Sequence, residues 1–211
     1  MARHQVSIEV QSRFGVKIPN TFYYHDPAVS KLMILLPGRG YTVEAPALYY
    51  TRQMALELGF DVLGLQYGFT MTGGDFSEQT APYLKEDVAA AVGQVIARSP
   101  YQQVCVVAKS LGTLLVAETI EATKLANVAV ILLTPLPGSQ QEVGDYPTLA
   151  IIGSADQLYT PDMLSTSKPN IRWKVLDGAN HGFEVKGEWG ASIDTLRSVV
   201  AECELFLTQQ T

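Results

Sequence analysis

The sequence predicts an α/β protein in which a mostly parallel sheet is covered by helices on both faces. Short apolar runs such as residues 32–36 and 128–133 alternate with longer helical patterns along most of the chain. That alternation is typical of β-α-β units. The runs are continuously apolar, as strands buried on both faces of a sheet should be. Segments rich in glycine and proline separate the runs and predict the turns.

Side-chain patterns and turn residues predict the bounds of the individual strands and helices. Residues 6–10 alternate polar and apolar side chains and, with residues 16–24, predict two antiparallel opening strands. Pro46 marks the first turn of a helix that stops at Gly59. Further strands are predicted at 32–36, 60–66, 104–107, 128–133, 148–152 and 171–176, and further helices at 79–97, from 110 to 122 and at 192–207. We therefore expect a sheet of about seven to eight strands.

Length and composition predict one globular domain spanning residues 1–211. Hydrophobic residues make up 47% of the 211 residues and charged residues 17%, which is ordinary for a soluble α/β protein. The net charge of −6 argues against nucleic acid or an anionic membrane surface as a partner. The N-terminal stretch lacks the apolar core of a signal peptide, and the chain has only two cysteines. We therefore expect a cytoplasmic protein without a disulfide framework.

No cofactor or metal site is expected from the sequence. The three histidines are scattered, and neither a His-x-x-x-His nor a Cys-x-x-Cys spacing occurs. The turn Gly38-Arg39-Gly40 lacks the third glycine of a dinucleotide-binding loop, because Val43 occupies that position.

The stretch from Val106 to Leu115 carries the strongest chemical motif. It reads as an apolar strand, a tight turn with Ser110 at its tip, and a helix, with Ala108 and Gly112 two positions to either side of the serine. A serine on a sharp strand-to-helix turn needs small neighbours, since bulky ones would collide. The turn also directs the following amide, that of Leu111, toward the place where negative charge develops in acyl transfer. The alternative interpretation is an ordinary helix N-cap.

Two further polar residues follow predicted strands in the order Ser, Asp, His. Asp156 comes after the apolar run 149–152, and His181 lies in a glycine-flanked loop after the run 171–176. A carboxylate in such a place can hold an imidazole in the right tautomer. Asp177 is the rival carboxylate, although it more simply starts the turn Asp177-Gly178.

A fourth element precedes these. Residues 31–36 form a strand that runs into the turn Pro37-Gly38-Arg39-Gly40. This turn could supply a second backbone N–H to an oxyanion, from Arg39 or, as the alternative, from Gly40. It could also simply end the strand.

With all four elements in this order, the chain resembles the α/β-hydrolase superfamily from about Lys31 to the C-terminus. It is most similar to small members without a cap domain, like dienelactone hydrolases and compact esterases, with Ser where dienelactone hydrolases carry Cys. The resemblance implies Ser110 as nucleophile, His181 as general base, Asp156 as its orienting acid, and an oxyanion hole from the Arg39 and Leu111 amides. Ala108 stands where glycine is commoner, and Pro37 where many members have histidine.

We therefore expect a serine hydrolase that cleaves a small or medium acyl ester or thioester. The alternative is a non-catalytic binding or scaffold protein on the same fold. The segment between Leu133 and Thr148 is too short for a lid of several helices, so the site should be open. Aromatic residues near strand ends could line the substrate pocket or only pack; they are Tyr41, Tyr67, Tyr159 and Phe183. Lys109, beside the serine, could modulate local charge, meet an anionic substrate or only pack beside the turn.

Overall fold

The computed structural model describes residues 2–209 and has the predicted α/β architecture. Eight strands form one sheet in the order β1-β2-β4-β3-β5-β6-β7-β8. Their bounds are Ala2–Gln11, Lys17–Asp26, Lys31–Leu36, Phe60–Gly64, Gln103–Lys109, Val128–Leu133, Thr148–Gly153 and Ile171–Leu176 for β1 to β8. Strand β2 pairs antiparallel with β1 and with β4, and all the other neighbours are parallel. The predicted fold class is confirmed, including the antiparallel opening strands.

Helices cover both faces of this sheet. The α-helices are Pro46–Glu57, Gly68–Met71, Ala81–Ile96, Val116–Thr123, Asp162–Ser165 and Trp189–Thr208 for α1 to α6. Helix α1 packs against α6, and α3 packs against α4. Successive side chains of a strand point to opposite faces, so in β3 Ile34 joins the core under α3 and α4, while Met33 and Leu35 join the core under α1 and α6. The sheet thus separates two hydrophobic cores.

Several element boundaries differ from the prediction. The turn after β5 starts with a 3-10 helix, Ser110–Leu115, and the α-helix begins only at Val116. A 3-10 turn at the start of an α-helix is common. Helix α6 begins at Trp189, ahead of the predicted residue 192. The short helices α2 and α5 were not predicted, because four residues are too few to show a periodicity.

The segment between β6 and β7 lies against the body of the protein. Its regular structure is a 3-10 turn, Ser139–Gln141, and Ser139 and Val143 within it are buried. Within residues 2–209 there is therefore no cap domain over the carboxyl edge of the sheet. None of the helices in that range is long and apolar enough to cross a membrane.

Candidate active site

Three loops at the carboxyl edge of the sheet bring Ser110, Asp156 and His181 together. Ser110 follows β5, Asp156 follows β7 and His181 follows β8. The Nε2 atom of His181 lies 2.9 Å from Ser110 Oγ, and its Nδ1 atom lies 2.8 Å from Asp156 Oδ2. Both distances are those of hydrogen bonds. The three side chains therefore form one continuous hydrogen-bonded line.

The turn that carries Ser110 has a strained backbone and no free space. Ser110 has a φ of 49°, a left-handed conformation that is uncommon for residues other than glycine. A Cβ on Gly112 would lie 2.4 Å from the carbonyl oxygen of Leu36, so this position requires glycine. Ala108 is still within β5, paired with Leu36 and Leu132. Its methyl group is fully buried, so the first small position of the motif accepts a Cβ that the second does not.

Asp156, and not Asp177, contacts the imidazole. The Asp156 side chain is fully buried, and its second oxygen, Oδ1, accepts the N–H of Leu158. Asp177 instead accepts a hydrogen bond from the Ser154 hydroxyl at 3.0 Å. This hydroxyl also accepts the N–H of Gly178, so Asp177 belongs to the turn after β8.

The loops of the acid and the base pack directly on each other. The N–H of Ala155 donates to the carbonyl of Ala179 at 3.0 Å. A Cβ on Gly153 would lie 1.9 Å from that same carbonyl oxygen. Only a glycine at the end of β7 allows this approach. The His181 side chain is 33% exposed, so part of the imidazole is open to solvent.

The turn after β3 lies against the nucleophile. A Cβ on Gly38 would be 3.3 Å from Ser110 Cβ, which shows how closely the two backbones approach. The N–H of Gly38 donates to the Tyr41 carbonyl, and the Tyr67 hydroxyl donates to the Pro37 carbonyl at 2.9 Å. These bonds fix the turn beside Ser110.

The predicted oxyanion donors belong to this turn and to the turn after Ser110. Arg39 sends its side chain outward to Asp75, with Nη2 to Oδ1 at 2.7 Å, and Gly40 has a φ of 71°. The Gly38 amide is already used within the turn. The assignment of the Arg39 or Gly40 amide, together with that of Leu111, stays a prediction.

The four aromatic residues occupy different surroundings. Tyr41 and Tyr67 line a cavity of about 100 Å³ beside Pro37 and Gly38, far smaller than the roughly 300–1,000 Å³ of pockets for drug-sized ligands. The Tyr41 hydroxyl accepts the N–H of Ala47. Phe183 is buried and has a φ of 65°, and Tyr159 is half-buried near Asp156. Whether these rings contact a substrate stays a prediction.

Lys109 is buried in the same region. Its side chain is 1% exposed, and Nζ donates to Thr134 Oγ1 at 2.5 Å and to the His181 carbonyl at 2.8 Å. Burial lowers the pKa of Lys109 to about 8, against the opposing effect of the Asp156 carboxylate. Sequence reasoning missed Thr134, although its place directly after β6 is a signal, since sites of α/β folds form at such strand ends.

A second buried network lies at the opposite edge of the sheet. His25 Nδ1 is 3.0 Å from Asp61 Oδ1, and the Tyr101 hydroxyl donates to Asp61 Oδ2 at 2.6 Å. Asp61 is near the start of β4, so this network is separate from the candidate site. Within the described part of the chain, no group of three or more His, Cys, Asp and Glu residues could hold a metal ion.

Comparisons with known proteins bear on the fold. No protein-family model and no curated protein matches this chain. Among solved structures, a lidless α/β serine hydrolase from Xanthomonas campestris is similar with a TM-score of 0.74 and 15% identity, over 98% of this chain and 94% of that one. A dienelactone hydrolase from Anabaena variabilis is similar with a TM-score of 0.70 and 18% identity, over 99% of both chains.

An esterase from Pyrococcus furiosus is similar with a TM-score of 0.69 and 16% identity, over 98% of this chain and 91% of that one. The TM-scores establish the fold, and identities this low leave the activity to the chemistry of the site. The resemblance in the sequence motifs and the likeness of the backbone agree, and residues 2–209 have the α/β-hydrolase fold in a form without a cap domain.

Proposed function

We propose that this protein is a serine hydrolase that cleaves small or medium acyl esters or thioesters through an acyl-enzyme on Ser110. The observation that carries the proposal is the hydrogen-bonded line from Ser110 through His181 to the buried Asp156. A buried carboxylate beside Nδ1 keeps the proton on that nitrogen, so Nε2 is free to accept the serine proton.

The reaction follows from this arrangement. Ser110 Oγ attacks the substrate carbonyl while His181 Nε2 takes its proton, and Asp156 stabilises the resulting imidazolium. The amides of Leu111 and of Arg39 or Gly40 stabilise the tetrahedral oxyanion. His181 then protonates the leaving alkoxide or thiolate. Water attacks the acyl-enzyme with His181 as base, which restores Ser110.

Replacing Ser110 by alanine tests the proposal. We expect Ser110→Ala to lower the turnover of p-nitrophenyl esters by roughly three orders of magnitude or more, as loss of a nucleophile does. The measurement is the steady-state rate of hydrolysis for a series of p-nitrophenyl esters that runs from the acetate to long acyl chains. Circular dichroism is the control for folding. A fluorophosphonate probe should label the wild-type chain and not the variant.

The same experiment separates the hydrolase from a binding or scaffold protein of the same fold. A folded Ser110→Ala variant with wild-type hydrolysis would contradict the role of Ser110. A wild-type chain that neither hydrolyses any ester of the panel nor reacts with the probe would favour the non-catalytic alternative.

A further inference from the structure

Lys109 has a place in the site that the reaction described above does not use. It is the last residue of β5 and directly precedes Ser110. A buried ammonium costs free energy unless it is paired or hydrogen-bonded. A side chain that is 1% exposed does not meet a substrate in an open site, so the reason for this buried charge must lie in its contacts within the protein.

Those contacts join four segments of the site. Nζ donates to Thr134 Oγ1 in the loop after β6 and to the main-chain carbonyl of His181 in the loop after β8. It also lies 5.0 Å from the ring centre of Tyr41, in the loop after β3, and 5.4 Å from that of Phe183. Both distances are within the range of cation–π attraction. One ammonium thus connects the strand of the nucleophile with the loop of the base.

The segments that Lys109 connects are also strained. Ser110, Thr134 and Phe183 have φ values of 49°, 44° and 65°, in the left-handed region that costs energy for residues with a Cβ. Among residues 2–209, Lys124 is the only other non-glycine residue with a positive φ. Strained residues persist where surrounding contacts hold them, and the bonds of Lys109 supply such contacts at Thr134 and next to Phe183.

We propose that Lys109 is a positioning residue for hydrolysis, whose ammonium holds the His181 main chain and the Thr134 turn so that the imidazole stays directed at Ser110. This inference rests on the proposed hydrolase function and deepens it. Lys109 acts through His181 and touches no reacting atom.

The charge of Lys109 should affect how kcat depends on pH. The titratable groups that face it are Asp156 and Tyr41, and Glu184 acts in turn on Tyr41; His181 faces it with its main-chain carbonyl. Because the pKa of Lys109 is about 8, the ammonium loses its proton above that pH. Activity of the wild-type enzyme should therefore decline on the alkaline side.

The test compares four variants: Lys109→Met, Lys109→Arg, Thr134→Val, and Lys186→Met as a control that removes an exposed charge from the loop after β8. The measurement is kcat and KM for p-nitrophenyl acetate from about pH 5 to about pH 10. We expect Lys109→Met to lower kcat by about 100-fold, as a misplaced group does, with little change in KM. Its alkaline limb should disappear.

The remaining variants distinguish the effect of the positive charge at residue 109 from the effect of the size of its side chain. Lys109→Arg should keep more of kcat than Lys109→Met and should lose the alkaline limb, because a guanidinium stays protonated. Thr134→Val removes one acceptor of the ammonium and should move the alkaline limb to lower pH. Lys186→Met should behave like the wild type. These shifts in pH limbs would not follow from a merely structural lysine.

A wild-type kcat and pH profile in folded Lys109→Met would overturn the proposal, as would an equal effect in Lys186→Met. If Lys109→Met does not fold, Thr134→Val decides, and an unshifted alkaline limb there overturns it. Failure of the hydrolase function looks different, because the wild-type chain would then be inactive and unlabelled by fluorophosphonate, and the role of Lys109 would fall with it.

Discussion

The two aspartates near His181 have different partners, and this difference gives a prediction at the scale of single residues. Asp156 contacts the imidazole from a buried position, whereas Asp177 accepts from Ser154 on the surface. We expect Asp156→Asn to lower kcat by about four orders of magnitude, because an amide at this place favours the wrong imidazole tautomer. The measurement is kcat for a short p-nitrophenyl ester at neutral pH.

Asp177→Asn is the matched control for this change. It removes the same charge from the turn after β8, where the side chain binds Ser154 and not the imidazole. This change should leave kcat near the wild-type value. If the Asp177 variant lost activity and the Asp156 variant kept it, the carboxylate of the proposed reaction would be the wrong one.

The segment between β6 and β7 gives a prediction at the scale of an element. It packs against the body of the protein through Ser139 and Val143 and contains only a 3-10 turn as regular structure. Each further buried methylene contributes about 0.8 kcal/mol, and the cavity beside Pro37 and Gly38, of about 100 Å³, offers little apolar wall. We therefore expect a preference for acyl chains of about two to six carbons.

Hydrolysis rates along a series of p-nitrophenyl esters measure this preference, and emulsified substrate tests for activation at a lipid interface. We expect neither a continued rise in kcat/KM toward long chains nor a jump in rate at the interface. Either result would contradict the expected preference for short acyl chains.

At the scale of the whole molecule, three buried groups predict how stability depends on alkaline pH. Burial raises the pKa of Cys203 to about 12 and that of Cys105 well above its ordinary value. Above about pH 9 the unfolded chain therefore releases thiol protons that the folded chain keeps, which lowers stability by about 1.4 kcal/mol per pH unit for each thiol. Lys109 has the opposite effect, because its lowered pKa makes the folded chain release its proton first, from about pH 8 to about pH 10.5.

These three groups together predict that stability rises slightly between about pH 8 and about pH 9 and falls above it, when two thiols outweigh one amine. Urea unfolding under reducing conditions across this range measures the effect. In Cys203→Ala the free energy of unfolding should fall less steeply with alkaline pH. The cavity left by the substitution lowers stability by an amount that does not depend on pH. If the free energy of unfolding fell equally steeply with alkaline pH in the wild type and in Cys203→Ala, the raised pKa of Cys203 would be contradicted.

Much of this protein is determined by local sequence. The apolar runs specify the strands because buried parallel strands need apolar side chains on both faces, and the core positions of β3 alternate between the two faces as a strand requires. The small residues around Ser110 predict the turn, since Gly112 has no room for a Cβ. The order of Ser110, Asp156 and His181 after three strands predicts their meeting, because the ends of parallel strands share one edge of the sheet.

Other features exist only in the tertiary structure. The sequence favours Asp156 over Asp177, but the hydrogen bond of Asp156 to His181 forms only where the loops after β7 and β8 pack on each other, with the N–H of Ala155 donating to the carbonyl of Ala179. The hydrogen bond between the buried Lys109, at the end of β5, and Thr134, directly after β6, connects two distant parts of the chain. Local sequence leaves several interpretations of this lysine open, and the tertiary structure makes it part of the site. The physical reason is the same in both cases: hydrogen bonds and close packing between distant segments are set by how the strands are ordered in the sheet, and propensity along the chain carries no information about that order.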